Sequence, residues 1–334
     1  MPTDEEKKDS AGEDSGAPLE GIVRDTFDAL GLDDQMTQAC HRLGYETPTD
    51  IQQRTVPLVL GGQDVIGQAR TGTGKTAAFA LPMIQTLQGS EASPSAIVLT
   101  PTRELAVQVA GEFERLAEEV DNFRVLAVYG GASIRPQMDK LARGVTAVVG
   151  TPGRVMDLMR RGDLRLDGIS TCVLDEADRM LDMGFIGDIE WILERTPGKR
   201  QTLLFSATMP DEIRALANSY MESPVYIRVS ADEDMTVDAT EQIYLRVGRR
   251  NKIWALSKIL DEDDPELTIV FCNTKVAVDM VNRRLREVGY SVGEIHGALR
   301  QTKRERVLDK FRESKVRILV ASDVAARGLD IEET

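Results

Sequence analysis

The segment Ala69–Thr76, with the sequence Ala-Arg-Thr-Gly-Thr-Gly-Lys-Thr, constrains this chain more than any other stretch. It follows the apolar pair 65–66 and precedes a helix-forming run, so it predicts a glycine-rich loop between a strand and a helix. Gly72 and Gly74 allow the backbone to curl with its N–H groups pointing inward. Together with the N-terminus of the following helix, these groups create a site for a phosphate anion.

The same loop contains residues suited to holding a nucleotide. Lys75 can reach the β- and γ-phosphates, and the hydroxyl of Thr76 can ligate Mg²⁺. Ala69 stands where such a loop usually has its first glycine, so a flexible turn before a helix is the alternative. The predicted cofactor-binding residues of the loop are Ala69, Arg70, Thr71, Gly72, Thr73, Gly74, Lys75 and Thr76.

A second element of a nucleotide site follows the apolar strand predicted over residues 171–174. Downstream of a phosphate loop, Asp175 is placed to hold Mg²⁺, and Glu176 is placed to orient and deprotonate an attacking water. Acidic residues in the first turn of a helix are the alternative interpretation. The predicted catalytic residues are Lys75, Asp175 and Glu176, and the predicted Mg²⁺ ligands are Thr76 and Asp175.

Further strand-end loops carry hydroxyls, arginines or glycine amides, which are the usual partners of a nucleic-acid phosphate backbone. They are residues 101–106, 130–131 and 151–154, each after a predicted strand. Open α/β sheets bind ligands at the carboxyl ends of their strands, although ordinary turn chemistry is the alternative for any single loop. After the strand predicted over 201–205, small hydroxyl residues are expected to hydrogen-bond a neighbouring carboxylate such as that of Asp178.

The composition limits the class of protein. A chain of 334 residues suggests about two domains, and it contains no apolar run of membrane-spanning length. Its N-terminus is polar, without the pattern of a secretory leader. Its three cysteines and two histidines lack disulfide or metal-ligand spacing, so we expect a reducing cytoplasm.

The net charge of −14 is unusual for a protein that binds nucleic acid, and arginine outnumbers lysine. A halophilic origin is one hypothesis, because acidic surfaces stay hydrated at high salt. An ordinary acidic protein is the alternative, since net charge bears on solubility and steering rather than on fold.

Four segments are predicted along the chain. Residues 1–20 are polar and acidic and read as a disordered tail. Residues 21–230 form a first α/β domain, residues 231–241 a linker, and residues 242–334 a second α/β unit. The second unit is expected to begin with a strand over 242–247 and to be incomplete at its C-terminal end.

Taken together, these motifs resemble the DEAD-box family of ATP-dependent RNA helicases. The segment Asp175-Glu176-Ala177-Asp178 resembles the motif that names the family. The phosphate loop also resembles that of the family, which usually has alanine at the position of Ala69. Phe27 and Gln52 resemble its adenine-reading motif, and a glutamine amide does match adenine N6 and N7. The resemblance extends from about residue 27 to residue 330.

The resemblance implies two RecA-like domains with mainly parallel sheets flanked by helices, ATP and Mg²⁺ as cofactors, and RNA as the partner. It implies a role for Asp323 in nucleotide binding, and one for Asp178, Ser206 and Thr208 in coupling. The implied RNA contacts are Pro101, Thr102, Arg103, Gly130, Gly131, Thr151, Arg154, Thr274, Gly297, Gln301 and Arg304. The family's arginine-finger segment has no counterpart before Thr334, so the second domain is expected to be truncated.

The predicted function is RNA strand separation or RNA–protein remodelling coupled to ATP hydrolysis, by a monomer without a membrane anchor. Two alternatives stay open. One is a module that binds ATP and RNA with little turnover, because the fingers are missing. The other is a different P-loop ATPase that acts on DNA.

Overall fold

The computed structural model describes residues 26–87, 94–229, 243–299 and 301–322. A seven-stranded parallel sheet with the order β3-β4-β2-β5-β6-β1-β7 organises the first unit. Its strands are β1 (Val65–Gln68), β2 (Ala96–Leu99), β3 (Val125–Val128), β4 (Ala147–Gly150), β5 (Thr171–Leu174), β6 (Gln201–Ser206) and β7 (Val225–Arg228). The central strands β2, β4 and β5 are buried at every residue, as their unbroken apolar runs predict for a parallel sheet covered on both faces.

Helices cover both faces of this sheet. They are α1 (Asp34–Arg42), α2 (Asp50–Leu60), α3 (Lys75–Thr86), α4 (Arg103–Leu116), α5 (Arg135–Ala142), α6 (Pro152–Arg161), α7 (Ala177–Asp182), α8 (Ile186–Leu193) and α9 (Asp211–Tyr220). One apolar core joins α1 to α4 to the sheet, and a second joins α6 to α9 to the opposite face. In the first core, the rings of Phe79 and Phe205 lie with their centroids 5.3 Å apart and anchor α3 to β6.

The second unit is a smaller parallel sheet with the order β8-β10-β9. Its strands are β8 (Thr268–Cys272), β9 (Val292–Ile295) and β10 (Ile318–Ser322), and its helices are α10 (Lys252–Asp263), α11 (Lys275–Glu287) and α12 (Gln301–Arg312). Helices α10 and α11 pack on one face, and α12 packs on the other. Parallel sheets flanked by helices therefore confirm the predicted fold class, and within the described residues the second unit is the smaller one.

The strand predicted over 242–247 is not formed in its described part, residues 243–247. Ile243, Tyr244 and Leu245 are irregular and are 74%, 85% and 59% exposed. Strand-forming residues adopt a strand only where a neighbouring strand can receive their hydrogen bonds, and none of the described strands lies beside them. Residues 1–20, 231–241 and Asp323 lie outside the described residues, so the segment boundaries remain predictions.

No helix among the described residues combines the length and the apolar character needed to cross a bilayer.

Candidate functional site

The strand order divides the carboxyl edge of the large sheet into two halves. Strands β5, β6 and β1 are neighbours, so the loops that follow them meet: the acidic segment 175–178, the segment 206–208 and the phosphate loop. Strands β2, β4 and β3 are also neighbours, and they bring together the loops 101–103, 130–131 and 151–154. The predicted nucleotide residues and the predicted RNA residues of the first domain thus occupy adjacent halves of one edge.

The phosphate loop has the curled backbone that its glycines predict. Gly72 and Gly74 have φ values of +79° and +83°, a region that favours glycine. The buried Lys75 donates from Nζ to the carbonyl oxygen of Ala69 at 2.9 Å. Thr76 is partly exposed in the first turn of α3. The lysine charge is therefore held inside the loop by a neutral acceptor that a phosphate could replace.

Gln52 connects α2 to this loop. Its Oε1 accepts from the backbone N–H of Thr49 at 2.9 Å, and its Nε2 donates to the carbonyl oxygen of Gly74 at 3.1 Å. A side-chain amide has two donor hydrogens and two acceptor lone pairs, so one of each remains for an adenine base. A Cβ on residue 74 would lie 2.4 Å from Gln52 Nε2, a second reason why glycine is required there.

The aromatic residue predicted to contact adenine, Phe27, is almost completely buried. Phe27 is only 2% exposed, and its ring packs 6.3 Å from that of Tyr45. Both rings line an open cleft of about 800 Å³ that also contains Gln52, Lys75 and Glu176. Tyr45 is half-buried and was not predicted, although its position shortly before Gln52 is a usable signal. Stacking of Phe27 on the base stays a prediction, and Tyr45 is the more accessible ring.

The acidic pair after β5 is buried. Asp175 is 3% exposed, and its Oδ1 has no hydrogen-bond partner. Burial raises the pKa of Asp175, while the charge of Lys75 opposes this. Burial and the neighbouring Asp175 raise the pKa of Glu176 from 4.5 to about 7. A buried carboxylate oxygen without a partner fits a Mg²⁺ ligand, since the cation prefers oxygen donors.

Glu176 is held in an unusual conformation. Its φ of +53° and ψ of +51° place a residue with a Cβ in the left-handed region, which costs energy and is found at functional sites. Its Oε2 accepts from Arg179 Nη1 at 2.9 Å. Arg179 was not predicted from the sequence, although a spacing of three residues on a helix is a signal for such a pair.

Asp178 joins the acidic segment to the loop after β6, as predicted. Its Oδ2 accepts from the backbone N–H and the hydroxyl of Thr208 at 2.9 and 2.8 Å. The Asp178 N–H donates to Ser206 Oγ at 3.2 Å. The contact of Asp178 with this loop is confirmed, while the coupling role of the three residues stays a prediction.

Arg103 and Arg154 lie in the second half of the edge. Arg103 lies against Gly131, where φ is +82° and a Cβ would come 2.0 Å from Arg103 Nη1. Arg154 donates to Gln137 Oε1 at 2.9 Å and to the carbonyl oxygen of Ala132 at 3.1 Å. Arg154 therefore orders the loop after β3, and Arg103 occupies the space that the glycine leaves.

The remaining predicted RNA residues differ in accessibility. Pro101 and Thr102 are buried, and Thr102 Oγ1 caps α4 by accepting from the N–H of Leu105 at 3.2 Å. Gly130 and Thr151 are partly exposed, and Thr274 and Gly297 are exposed. Gln301 begins α12, and its side chain lies outside the described part of the structure.

Arg304 belongs to α12 and pairs across the two units. Its Nη2 lies 2.7 Å from Glu104 Oε1 on α4, with the two side chains 8% and 9% exposed. The geometry favours a contact between domains over a phosphate contact at this residue, and its RNA contact stays a prediction. Glu104 was not singled out from the sequence.

One parallel sheet carries both a glycine-rich loop and a buried acidic segment that follows an apolar strand. These two features define a P-loop α/β protein. A family model described as DEAD/DEAH box helicase matches residues 49–216. A second one, described as helicase conserved C-terminal domain, matches residues 251–334. The chain belongs to the DEAD/DEAH box helicase family.

Two curated relatives are similar over most of this chain. The ATP-dependent RNA helicase CshA of Listeria monocytogenes is 51% identical over 305 residues, which are 91% of this chain and 58% of the relative. The DEAD-box ATP-dependent RNA helicase CshA of Geobacillus kaustophilus is 50% identical over 306 residues, 92% of this chain and 65% of that protein. The chain thus spans about three fifths of the length of these relatives.

Solved structures show the same two-domain architecture. A DEAD box protein from the hyperthermophile Methanococcus jannaschii is 42% identical with a TM-score of 0.60, covering 93% of this chain and 83% of that one. S. cerevisiae Dbp5 bound to RNA and ADP BeF3 is 31% identical with a TM-score of 0.83, covering 93% and 79%. Two RecA-like domains, the second shorter in this chain, are therefore confirmed.

Proposed function

We propose that residues 26–322 form the two-domain core of an ATP-dependent RNA helicase. The observation that carries this proposal is the convergence of three loops at the ends of β1, β5 and β6, next to the arginine and glycine loops of β2 to β4. A nucleotide bound in the first half of the edge would lie beside a phosphate backbone bound in the second half.

The similarity to Dbp5 supports a closed arrangement of the domains. The TM-score is higher with Dbp5 bound to RNA and ADP BeF3, at 0.83, than with the Methanococcus protein, at 0.60, although the latter has the higher identity. Sequence divergence alone would give the opposite order, so we infer that the domains of this chain lie more as they do in the RNA-bound Dbp5. The buried pair between Glu104 and Arg304 supports the same interpretation.

Each residue of the nucleotide half has a defined task in ATP hydrolysis. Lys75 would leave the carbonyl of Ala69 and meet the β- and γ-phosphates. Thr76 and Asp175 would hold Mg²⁺, which when bound neutralises charge on the phosphate oxygens. Glu176 would accept the proton of a water whose oxygen bonds to the γ-phosphorus while the bond to ADP breaks.

The RNA half would bind the sugar-phosphate backbone, so we propose low sequence specificity. Besides Arg154, the predicted contacts that are at least partly exposed are Arg103, Gly130, Gly131 and Thr151 in the first domain, and Thr274 and Gly297 in the second. Arg154 would act by ordering the glycine loop, because its guanidinium donates to Gln137 and Ala132.

The test is ATP hydrolysis by this chain with and without single-stranded RNA, compared with Lys75→Ala. We expect RNA to accelerate hydrolysis in the wild-type protein and Lys75→Ala to abolish nucleotide binding without changing the melting temperature. Competition with DNA of the same sequence separates this proposal from a DNA-directed ATPase. Equal stimulation by DNA, or binding of ATP by Lys75→Ala with unchanged affinity, would contradict it.

Base choice provides a second test of the site. Gln52→Ala should weaken ATP more than GTP, because the amide offers the donor and acceptor that adenine requires. Equal use of ATP and GTP by the wild-type protein would exclude base reading by Gln52.

A further inference from the structure

Among the described residues, the charged side chain that hydrogen-bonds the carboxylate of Glu176 is that of Arg179, in the first turn of the following helix α7. Arg179 Nη1 donates to Glu176 Oε2 at 2.9 Å, with the two side chains 28% and 6% exposed. Both residues line the same cleft as the phosphate loop. Most pairs spaced three residues apart on a helix are exposed and contribute little, but here the acid is almost completely buried.

Hydrogen bonds continue from Arg179 to the loop after β6. The backbone N–H of Arg179 donates to Asp178 Oδ1 at 3.0 Å. The other oxygen of Asp178 accepts from the N–H and hydroxyl of Thr208. Hydrogen bonds therefore link Thr208 to Asp178 and Asp178 to the backbone of Arg179. The guanidinium of Arg179 in turn holds the carboxylate of Glu176.

We propose that Arg179 is a positioning residue that aims the Glu176 carboxylate at the attacking water and connects it to the Ser206–Thr208 loop. The proposal rests on the proposed ATP hydrolysis. Glu176 starts from a left-handed backbone conformation, with φ at +53°, so its side chain departs in a direction that the helix itself does not determine. The guanidinium supplies the missing constraint. It also offsets repulsion between Glu176 and the buried Asp175 next to it.

Two properties distinguish this role from a phosphate contact by Arg179. Arg179 donates to the carboxylate rather than pointing freely into the cleft. In this role, Arg179 affects the rate through Glu176, and ATP affinity should not depend on Arg179. A lysine at this position keeps one charged donor and should restore part of the effect.

The experiment measures single-turnover ATP hydrolysis at saturating RNA and Mg²⁺, together with ATP affinity, for the 334-residue chain. Arg179→Met should lower the rate constant by about 10²-fold, the typical effect of misplacing a catalytic group by about 1 Å, with ATP affinity unchanged. Arg179→Lys should recover part of the rate. Arg161→Met is the matched control, because it removes a pair with Asp157 on an exposed helix face and should change neither quantity.

A double-mutant cycle tests whether Arg179 acts through Glu176. In a Glu176→Gln background, Arg179→Met should cause no further loss, because the carboxylate it aims is gone. An equal loss in both backgrounds, or a loss of ATP affinity, would overturn the proposal. If the wild-type chain is active, a normal rate for Arg179→Met alone would also overturn the proposed role of Arg179, while the proposed function would stand. A wild-type chain without RNA-stimulated hydrolysis would overturn the proposed function and this inference together.

Discussion

The buried ion pair between Glu104 and Arg304 should set how readily the two domains close. The perturbation is Glu104→Gln, which removes the charge and keeps the size of the side chain. The two side chains are 9% and 8% exposed with 2.7 Å between Arg304 Nη2 and Glu104 Oε1. Removing one partner of such a pair typically costs about 3–5 kcal/mol, because the other charge is left buried.

This cost arises only when the domains are closed, since separation of the domains returns Arg304 to water. The mutation therefore acts on the equilibrium between the open and the closed arrangement. A glutamine oxygen can still face the guanidinium with a partial negative charge, so we take the lower end of the range. About 3 kcal/mol corresponds to roughly a 10²-fold smaller ratio of closed to open molecules.

Small-angle X-ray scattering measures this ratio directly. We expect the wild-type protein to become more compact with RNA and a non-hydrolysable ATP analogue, and Glu104→Gln to stay extended until much higher ligand concentrations. Glu212→Gln is the matched control, because Glu212 is exposed on α9, which packs on the opposite face of the large sheet from α4. The combined charge reversal of Glu104→Arg and Arg304→Glu should restore part of the compaction.

The reasoning would be refuted by Glu104→Gln scattering curves that match those of the wild-type protein at every ligand concentration. A lower melting temperature in the first domain alone would also count against it. That result would mean that Glu104 stabilises α4 rather than the contact between the domains.

Four further predictions follow from single features of the chain. Gly131→Ala should weaken RNA binding in a filter assay while ATP affinity is retained, because residue 131 has a φ of +82° and its Cβ would displace Arg103; unchanged RNA affinity would exclude this loop from the interface. In Mg²⁺-free buffer, stability should fall as the pH rises from about 4.5 to 7, because the raised pKa of Glu176, about 7, makes the folded state bind its proton more tightly. The free energy of unfolding should fall by about 3 kcal/mol over this range, because each pKa unit corresponds to about 1.36 kcal/mol. Urea titrations of Glu176→Gln at the same pH values should show a smaller fall. Burial raises the pKa of the Cys40 and Cys172 thiols to about 12, so both should resist an aromatic disulfide reagent at pH 8 until urea unfolds the chain; rapid reaction in the native protein would contradict this. The net charge of −14 should make the melting temperature rise from low to molar KCl, and a flat or falling curve would dismiss the halophilic hypothesis.

Local chemistry made much of the first domain predictable from the sequence. The loop Ala69–Thr76 needs glycine at positive φ and a helix immediately after it, and neighbouring residues alone supply both. The buried strands are continuous apolar runs, which a parallel sheet covered on both faces requires. Asp175 and Glu176 could be located because they directly follow such a run. In each case, the interactions that decide the structure join residues that are close in the chain.

Other features depended on contacts that the sequence does not show. The segment 242–247 has the residues of a strand but no described neighbour for its hydrogen bonds, and its described part is irregular. Phe27 has the ring to stack on a base, but only the structure shows that this ring packs beside Tyr45 in the lining of the cleft. Thr102 has a hydroxyl suited to a phosphate, but that oxygen caps a helix.

The strand order of the large sheet was the decisive tertiary fact. It places β1, β6 and β5 side by side, so Asp178 meets Thr208 and Lys75 lies near Asp175. The domain contact between Glu104 and Arg304 likewise joins residues that are far apart in the sequence. A residue type states which partner a side chain can bind, whereas packing decides which partner is within reach, because burial and distance are properties of the whole fold.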